Sequence, residues 1–569
     1  MEGVKMDSSV AYVLIANLLE RVQRPKSPDG DTLAGALTEM EMSALRAAAD
    51  QLRLSSGTAS PDLRVETGGI EADAEKENSP PETPTVQLNL SSLQMGDRQP
   101  GMRICVDFGT AMSKAALIID GDDPSEPAAV EVLSLGVAGE QQEFSETMLI
   151  SSVYIANDGR IVFGKAAVDT SGIEHADGAR TRADNIKRYL SEDGLEEAVA
   201  KNFNPTSMVV TGHDLILAYL AFFSYTISQC VADLGLQTNI ERRFAMPCFP
   251  EPRSTRVRDL IREMLGQAQV LADTFQDRLL RGIPLDEFMT ALHSLPVAAK
   301  EWSMIGANLT EPLGVANVLF NDDANIDGII VVVDIGAGTS DMSMYRVHQS
   351  EGGGPAIAYE APHAARGIEQ AGNYLDRLLR GYVLKEAEIA IDHPKYRSTV
   401  GRIDLAIRDN KEALFTEGSV FIPISEEDGV TVTLEDFCNT TQVKLFSAAL
   451  QECMQDMMEE VPEDWIMVAD VKGAVRVVCT GGGASLPMVQ ALGKGTMTAQ
   501  GRRFLRTARD NFPSWLVEKH ELLRGEFPRT AVALGGARKR LISEKGLANV
   551  LAGGVRGTPQ LEGYYTRGT

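Results

Sequence analysis

Two segments more than 200 residues apart carry the same short pattern, and that repetition narrows the folds open to this chain. One is Val106-Asp107-Phe108-Gly109, within Ile104 to Ile119; the other is Val333-Asp334-Ile335-Gly336, within Ile329 to Tyr345. Each starts as an apolar run, breaks at a turn of small residues and resumes as a second apolar stretch, which reads as strand, turn, strand. A repeat at this separation predicts two related domains facing each other with a ligand cleft between them. Glycine in the second turn lets backbone N–H groups approach an anion, while Asp334 and Asp341 stand at the two strand ends, where a hydrated metal is expected. The implied ligand is a metal–phosphate complex.

At 569 residues the chain exceeds one core, so two to four domains or subdomains are expected. Hydrophobic residues make up 44%, and no apolar run reads as long enough to span a bilayer. Met1 to Ser9 lacks the basic flank of a signal peptide, so a cytosolic protein without a membrane partner is expected. A net charge of −26 argues against nucleic acid as a partner, because such binders need a basic footprint. The six cysteines form no CxxC pair, and Cys105 and Cys479 lie in apolar strand-like runs; buried, reduced thiols are expected.

Helical periodicity over 8–24 and 31–54, parted by Pro28-Asp29-Gly30, predicts a helical extension over 1–54. Residues 55–100 turn rich in Ser, Pro, Glu, Thr and Gly and read as a disordered linker. The globular part divides into a first domain, 101–325, with a helical insertion over about 251–305, and a second, 326–545; a flexible tail occupies 546–569. Gly159 to Lys165 has P-loop spacing, but Ala166 stands where a hydroxyl should hold magnesium and the intervening residues read as a strand, so it is set aside. Val475 to Thr480 reads as a strand running into Gly481-Gly482-Gly483 and then a helix, a junction that lets a flat or anionic ligand touch backbone.

Three glycine motifs therefore stand in order: Asp107-Phe108-Gly109-Thr110, then Asp334 to Asp341, then Gly481 to Gly483 with Pro487. In order and spacing they resemble the phosphate-one, phosphate-two and adenosine motifs of the actin-like ATPase superfamily. The nearest likeness is to the nucleotide-binding domain of the seventy-kilodalton heat-shock chaperones, over about residues 103 to 540. The resemblance implies an α/β fold of two lobes, built on duplicated ribonuclease-H-like domains, that closes on ATP or ADP with Mg2+. By motif it assigns Asp107 and Asp334 to the magnesium's water shell, and Thr110, Gly336 and Gly338 to phosphates. Gly109 belongs to the first of these turns, and Thr339 and Asp341 complete the second. Lys187 matches the lysine that orients the attacking water and Glu311 the glutamate that assists it. Gly372, Lys411 and Gly481, Gly482 and Gly483 match nucleotide-contacting positions.

Departures stand beside the matches. Ala111 replaces a hydroxyl residue after Thr110; Glu412 and Ser485 occupy positions where the chaperones carry arginines; Arg529 and Thr530 replace an acidic pair. After Gly536 only 33 residues remain, too few for a client-binding domain. The expected function is accordingly a nucleotide-driven switch with weak ATPase activity acting on a protein partner. The alternatives are a filament-forming actin relative and a nucleotide-binding scaffold that does not hydrolyse.

Overall fold

The computed structural model of the chain describes residues 22–23, 32–33, 86–121, 128–136, 146–174, 180–190, 194–320, 328–348, 357–425, 428–509, 512–539 and 541–542. Two compact units emerge, Met1–Glu82 and Thr83–Thr569. In the first, the described residues are the two-residue strands Val22–Gln23 and Thr32–Leu33, paired antiparallel. Strand thus replaces the expected helix at these four positions, which flank the Pro28-Asp29-Gly30 turn. The rest of the helical extension, the linker up to residue 85 and the tail over 546–569 lie outside the described residues.

The second unit is mixed α/β, with two large sheets that share one strand plan. In one, Ile305–Thr310, Glu241–Met246 and Met102–Asp107 run parallel, followed by the antiparallel strands Met112–Ile119 and Ala129–Val132. In the other, Arg502–Ala508, Ala474–Thr480 and Gly328–Ile335 run parallel, followed by Ser340–His348 and Ile357–Glu360. The repeated sequence pattern therefore marks the same central hairpin in each sheet. All eight residues of Gly328–Ile335 are buried. Ile329, Val331 and Val333 face one core and Ile330 and Val332 another, which is why this strand reads as a continuous β-branched run instead of alternating with polar residues.

The core that takes Ile330 and Val332 also takes Cys105, Ala116 and Ile118 of the first sheet, together with the helices Glu311–Phe320 and Phe527–Gly536. These helices cross where backbone meets backbone: a Cβ on Gly535 would lie 1.7 Å from the Gly314 carbonyl oxygen. Only glycine fits there. Arg243 donates to the carbonyls of Gly536 (3.3 Å) and Arg538 (2.7 Å), and Arg103 to that of Ala537 (3.1 Å), which places cations on the orphan carbonyls at the helix's C-terminal end.

Gly212–Asp233 is long and apolar enough to cross a membrane by length and composition, contrary to the expectation that no run reaches that length. Its apolar window is 78% buried inside the fold, where it packs against Arg253–Phe275. A capping box between Thr211 and Asp214 fixes its start. The expected helical insertion is present as Arg253–Phe275, Arg278–Arg281 and Leu285–His293, but it builds the first core and lines no part of the cavity described below.

The expected linker ends earlier than 100. Residues 86–99 lie as a strap on the first core, where Val86, Leu88, Leu93 and Met95 pack. Asn89 N–H donates to the Thr274 hydroxyl (3.0 Å), Trp302 Nε1 to the Ser92 carbonyl (3.1 Å) and Arg98 to the Ser303 carbonyl. Polar composition concealed a segment whose apolar residues are spaced to be pinned.

Candidate functional site

Each central hairpin ends in a turn, and the two turns touch. A Cβ on Gly338 would lie 2.5 Å from Thr110 Oγ1, so a side chain there would force the turns apart. Around this junction opens a cavity of ≈ 220 Å³. Lining it are Asp107, Gly109 and Thr110 from the first turn, Asp334, Gly336, Gly338 and Thr339 from the second, and Lys187, Glu311, Gly372, Lys411 and Gly481 to Gly483. Of the residues assigned a site role from sequence, Asp341 alone stands behind the wall, fully buried.

The glycines divide into two kinds. Gly336 N–H donates to Thr339 O (3.0 Å), Gly372 N–H to Gly336 O (3.1 Å), Gly481 N–H to Pro528 O (2.6 Å) and Gly483 N–H to Ile335 O (2.9 Å). Those amides are committed to loop closure, and that of Gly336 shapes the turn. Gly481 sits at φ +80°, with its missing Cβ 2.3 Å from Ile335 O, which only glycine allows. The amides of Gly109, Thr110, Ala337, Gly338 and Gly482 meet no protein acceptor among the described residues and remain as donors on the cavity wall. Ala337 was not singled out from sequence.

Charge is concentrated here. Lys187 Nζ lies 2.7 Å from Glu311 Oε1, both side chains less than one-tenth exposed, and 5.9 Å from the centre of the Phe108 ring. Lys114 Nζ lies 3.4 Å from Asp107 Oδ2, an ion pair set by strand register because residues 107 and 114 are cross-strand partners. In the second hairpin the equivalent partners are Asp334 and Asp341. Lys114 could have been found by extending the repeat, since each aspartate meets the residue seven positions on. Asp334 also accepts a bond from the Thr480 hydroxyl at 3.1 Å, and Asp341 from Cys248 N–H at 2.8 Å.

Four carboxylates thus share a buried region with two ammonium groups. Burial, then the charges of Glu311, Asp107 and Asp341, push the Asp334 carboxyl well above its ordinary range. Burial and Glu311 push Asp341 up to about 7. A hard cation suits this all-oxygen set, and Asp341 Oδ2 is buried without a hydrogen-bond partner. Among the described residues no three Asp, Glu, His or Cys side chains converge as direct metal ligands.

The raised Asp341 value has a testable sign. An acid whose folded pKa lies above its unfolded value stabilises the fold while protonated and loses that contribution as pH rises. For the metal-free chain, the melting temperature of wild type relative to Asp341→Asn should fall between about pH 4 and about 7 and level off above, as read by thermal melts. A flat difference would remove the carboxyl from this account.

At the outer end of the cavity Lys411 Nζ pairs with Asp376 Oδ1 at 2.7 Å and donates to the Gly372 carbonyl. Glu412 Oε1 and Arg529 Nη2 approach to 3.6 Å. The two departures noted at these positions therefore form one ion pair, its polarity reversed from the arginine and acidic pair of the resembled motifs. Arg408 and Phe415 also line this end and were missed, because which face of Tyr396–Glu417 looks inward depends on packing.

No family model matches the chain. It is similar over about a third of its length to chaperones. The Chaperone protein HscA homolog of Shewanella sediminis (strain HAW-EB3) is 26% identical over 193 residues, 33% of this chain and 28% of the relative. That of Tolumonas auensis (strain DSM 9187 / NBRC 110442 / TA 4) is 26% identical over 186 residues, 32% and 27%. That of Aliivibrio salmonicida (strain LFI1238) is 24% identical over 184 residues, 32% and 26%. The chain therefore spans little more than a quarter of the length of the curated relatives it matches, and this weak similarity supports a chaperone-like ATP-binding domain at most.

Proposed function

We propose that this protein binds ATP in the cleft between the two hairpin turns and hydrolyses it slowly, with closure of two actin-like lobes acting as a cytosolic switch for a protein partner. The observation that carries the reading is the buried Lys187–Glu311 pair at the junction of two turns with open amides. An ammonium group held by a carboxylate beside backbone donors is the equipment phosphoryl transfer needs, because catalysis there is mostly positioning and charge stabilisation. The shared strand plan of the two sheets and the partial similarity to chaperones support it.

In this reading the amides of Gly109, Thr110 and Gly338 bind phosphate oxygens. Lys187 orients the attacking water and meets the charge that develops on the phosphoryl group; Glu311 fixes the lysine and assists the water. Asp107 and Asp334 hold the water shell of magnesium, which when bound supplies positive charge to the phosphate oxygens. Lys411, Arg529 and Glu412 border the end left for the nucleobase.

The test is single-turnover hydrolysis of radiolabelled ATP by the full chain. We expect retained nucleotide and slow release of one phosphate per bound ATP, abolished by EDTA. A chain that retains no ATP or ADP in magnesium would overturn the reading, while nucleotide retained intact would leave the non-hydrolysing scaffold.

A further inference from the structure

Residues 471–509 contain seven Lys or Arg and no Asp or Glu, within a chain of net charge −26. The fold lays this stretch out as Ala474–Thr480, Arg502–Ala508 and Thr496–Ala499, the outer strands of the second sheet. Register sets Arg476 beside Thr507, Leu505 opposite Thr496 and Arg503 opposite Thr498. The alternate residues Val475, Val477, Met497, Ala499 and Phe504 belong to the second core, so the first set shares the other face. That face is open: Leu505 is 46% exposed, Arg503, Thr496 and Thr498 are exposed, and Arg476 and Thr507 are half-buried.

Its cations lack acidic partners. The Arg503 guanidinium donates to the Thr496 hydroxyl at 3.3 Å, and among the described residues neither it, Arg476 nor the exposed Lys494 has a carboxylate in reach. Several exposed arginines elsewhere are paired, as in Arg160–Asp158, Arg278–Glu287 and Arg524–Glu521. Concentrated, uncompensated positive charge on a strongly acidic protein defines where an anionic partner is attracted instead of repelled.

We propose that this sheet face is the docking surface for an extended Asp/Glu-rich segment of a partner protein. The carboxylates of such a segment make charge-assisted hydrogen bonds to Arg503 and Arg476, with Lys494 beside them, and Leu505 offers one apolar contact between. A long nucleic acid fits less well, because the face presents no exposed aromatic ring for bases and the overall charge repels it. The surface supplies the chemistry of the partner that the switch reading calls for, yet stands without the nucleotide site, so its test is run on the nucleotide-free full chain.

The probe is a fluorescein-labelled decaglutamate peptide, followed by anisotropy in low salt and again in high salt. We expect saturable, salt-sensitive binding that weakens roughly tenfold or more in Lys494→Glu/Arg503→Glu and stays near wild type in the control Lys385→Glu/Arg397→Glu. Matching melting temperatures and circular dichroism show that both variants are folded. Absence of saturable binding in wild type, or equal losses in both variants, overturns the proposal. So does stronger competition by a single-stranded DNA of equal charge, or a concentration-dependent self-association that the patch variant alone loses.

Discussion

Replacing Lys187 with alanine should slow single-turnover ATP hydrolysis by about 10² to 10³-fold and destabilise the nucleotide-free protein by about 3–5 kcal/mol. Both effects follow from one arrangement. Lys187 is the sole ammonium within 4 Å of Glu311 among the described residues, and Glu311 is one of four carboxylates set against two lysines. Removing the lysine leaves a buried carboxylate without its partner and raises the surplus. Removing the acid works the other way: Glu311 is a leading charge that raises both Asp334 and Asp341, so Glu311→Gln should be near neutral or stabilising in the absence of metal while still slowing hydrolysis. Lys187→Met/Glu311→Leu should recover most of the lost stability but no activity. Urea melts and radiolabelled single turnovers separate the two quantities. Wild-type hydrolysis by Lys187→Ala would refute the catalytic role, and wild-type stability would refute the charge account.

What could be read from the sequence was whatever a local pattern encodes. The runs Ile104 to Val106 and Ile329 to Val333 are unmistakable because strands buried on both faces favour apolar residues at successive positions, and the glycine after each aspartate marks the turn. Those two facts placed the two turns that meet in the cavity wall. Lys114 was missed because the repeat was followed only as far as the turn, whereas its meaning lies in register across the hairpin. What each glycine does was hidden for a different reason: sequence shows that a glycine is present, but only the fold shows that the amides of Gly336, Gly481 and Gly483 close loops. Glu412 and Arg529 looked like two unrelated losses of an adenine grip. Brought to 3.6 Å by helices more than 100 residues apart in sequence, they become a single reversed pair.

A chain beginning at Arg103, the natural place to cut if 55–100 is all linker, should be several kcal/mol less stable than one beginning at Thr83. The strap over 86–99 places Val86, Leu88, Leu93 and Met95 on the first core, each partly buried. A fully buried side chain of this kind contributes about 1.5–3 kcal/mol, so half that over four residues gives roughly 3–6 kcal/mol. The cut also strips partners from buried groups: Trp302 is 5% exposed and its indole N–H donates to the Ser92 carbonyl, while Asn89 ties the strap to Thr274 near the end of Arg253–Phe275. An indole donor left without its acceptor adds about 1–3 kcal/mol where water does not replace it. Because these contacts fall on the first core and none of 86–99 lines the cavity, nucleotide affinity at low temperature should change little while the melting temperature drops. The double readout matters. Equal melting temperatures for the two chains would show that the strap adds nothing to the core, and a loss of affinity without loss of stability would show that it acts on the cleft instead.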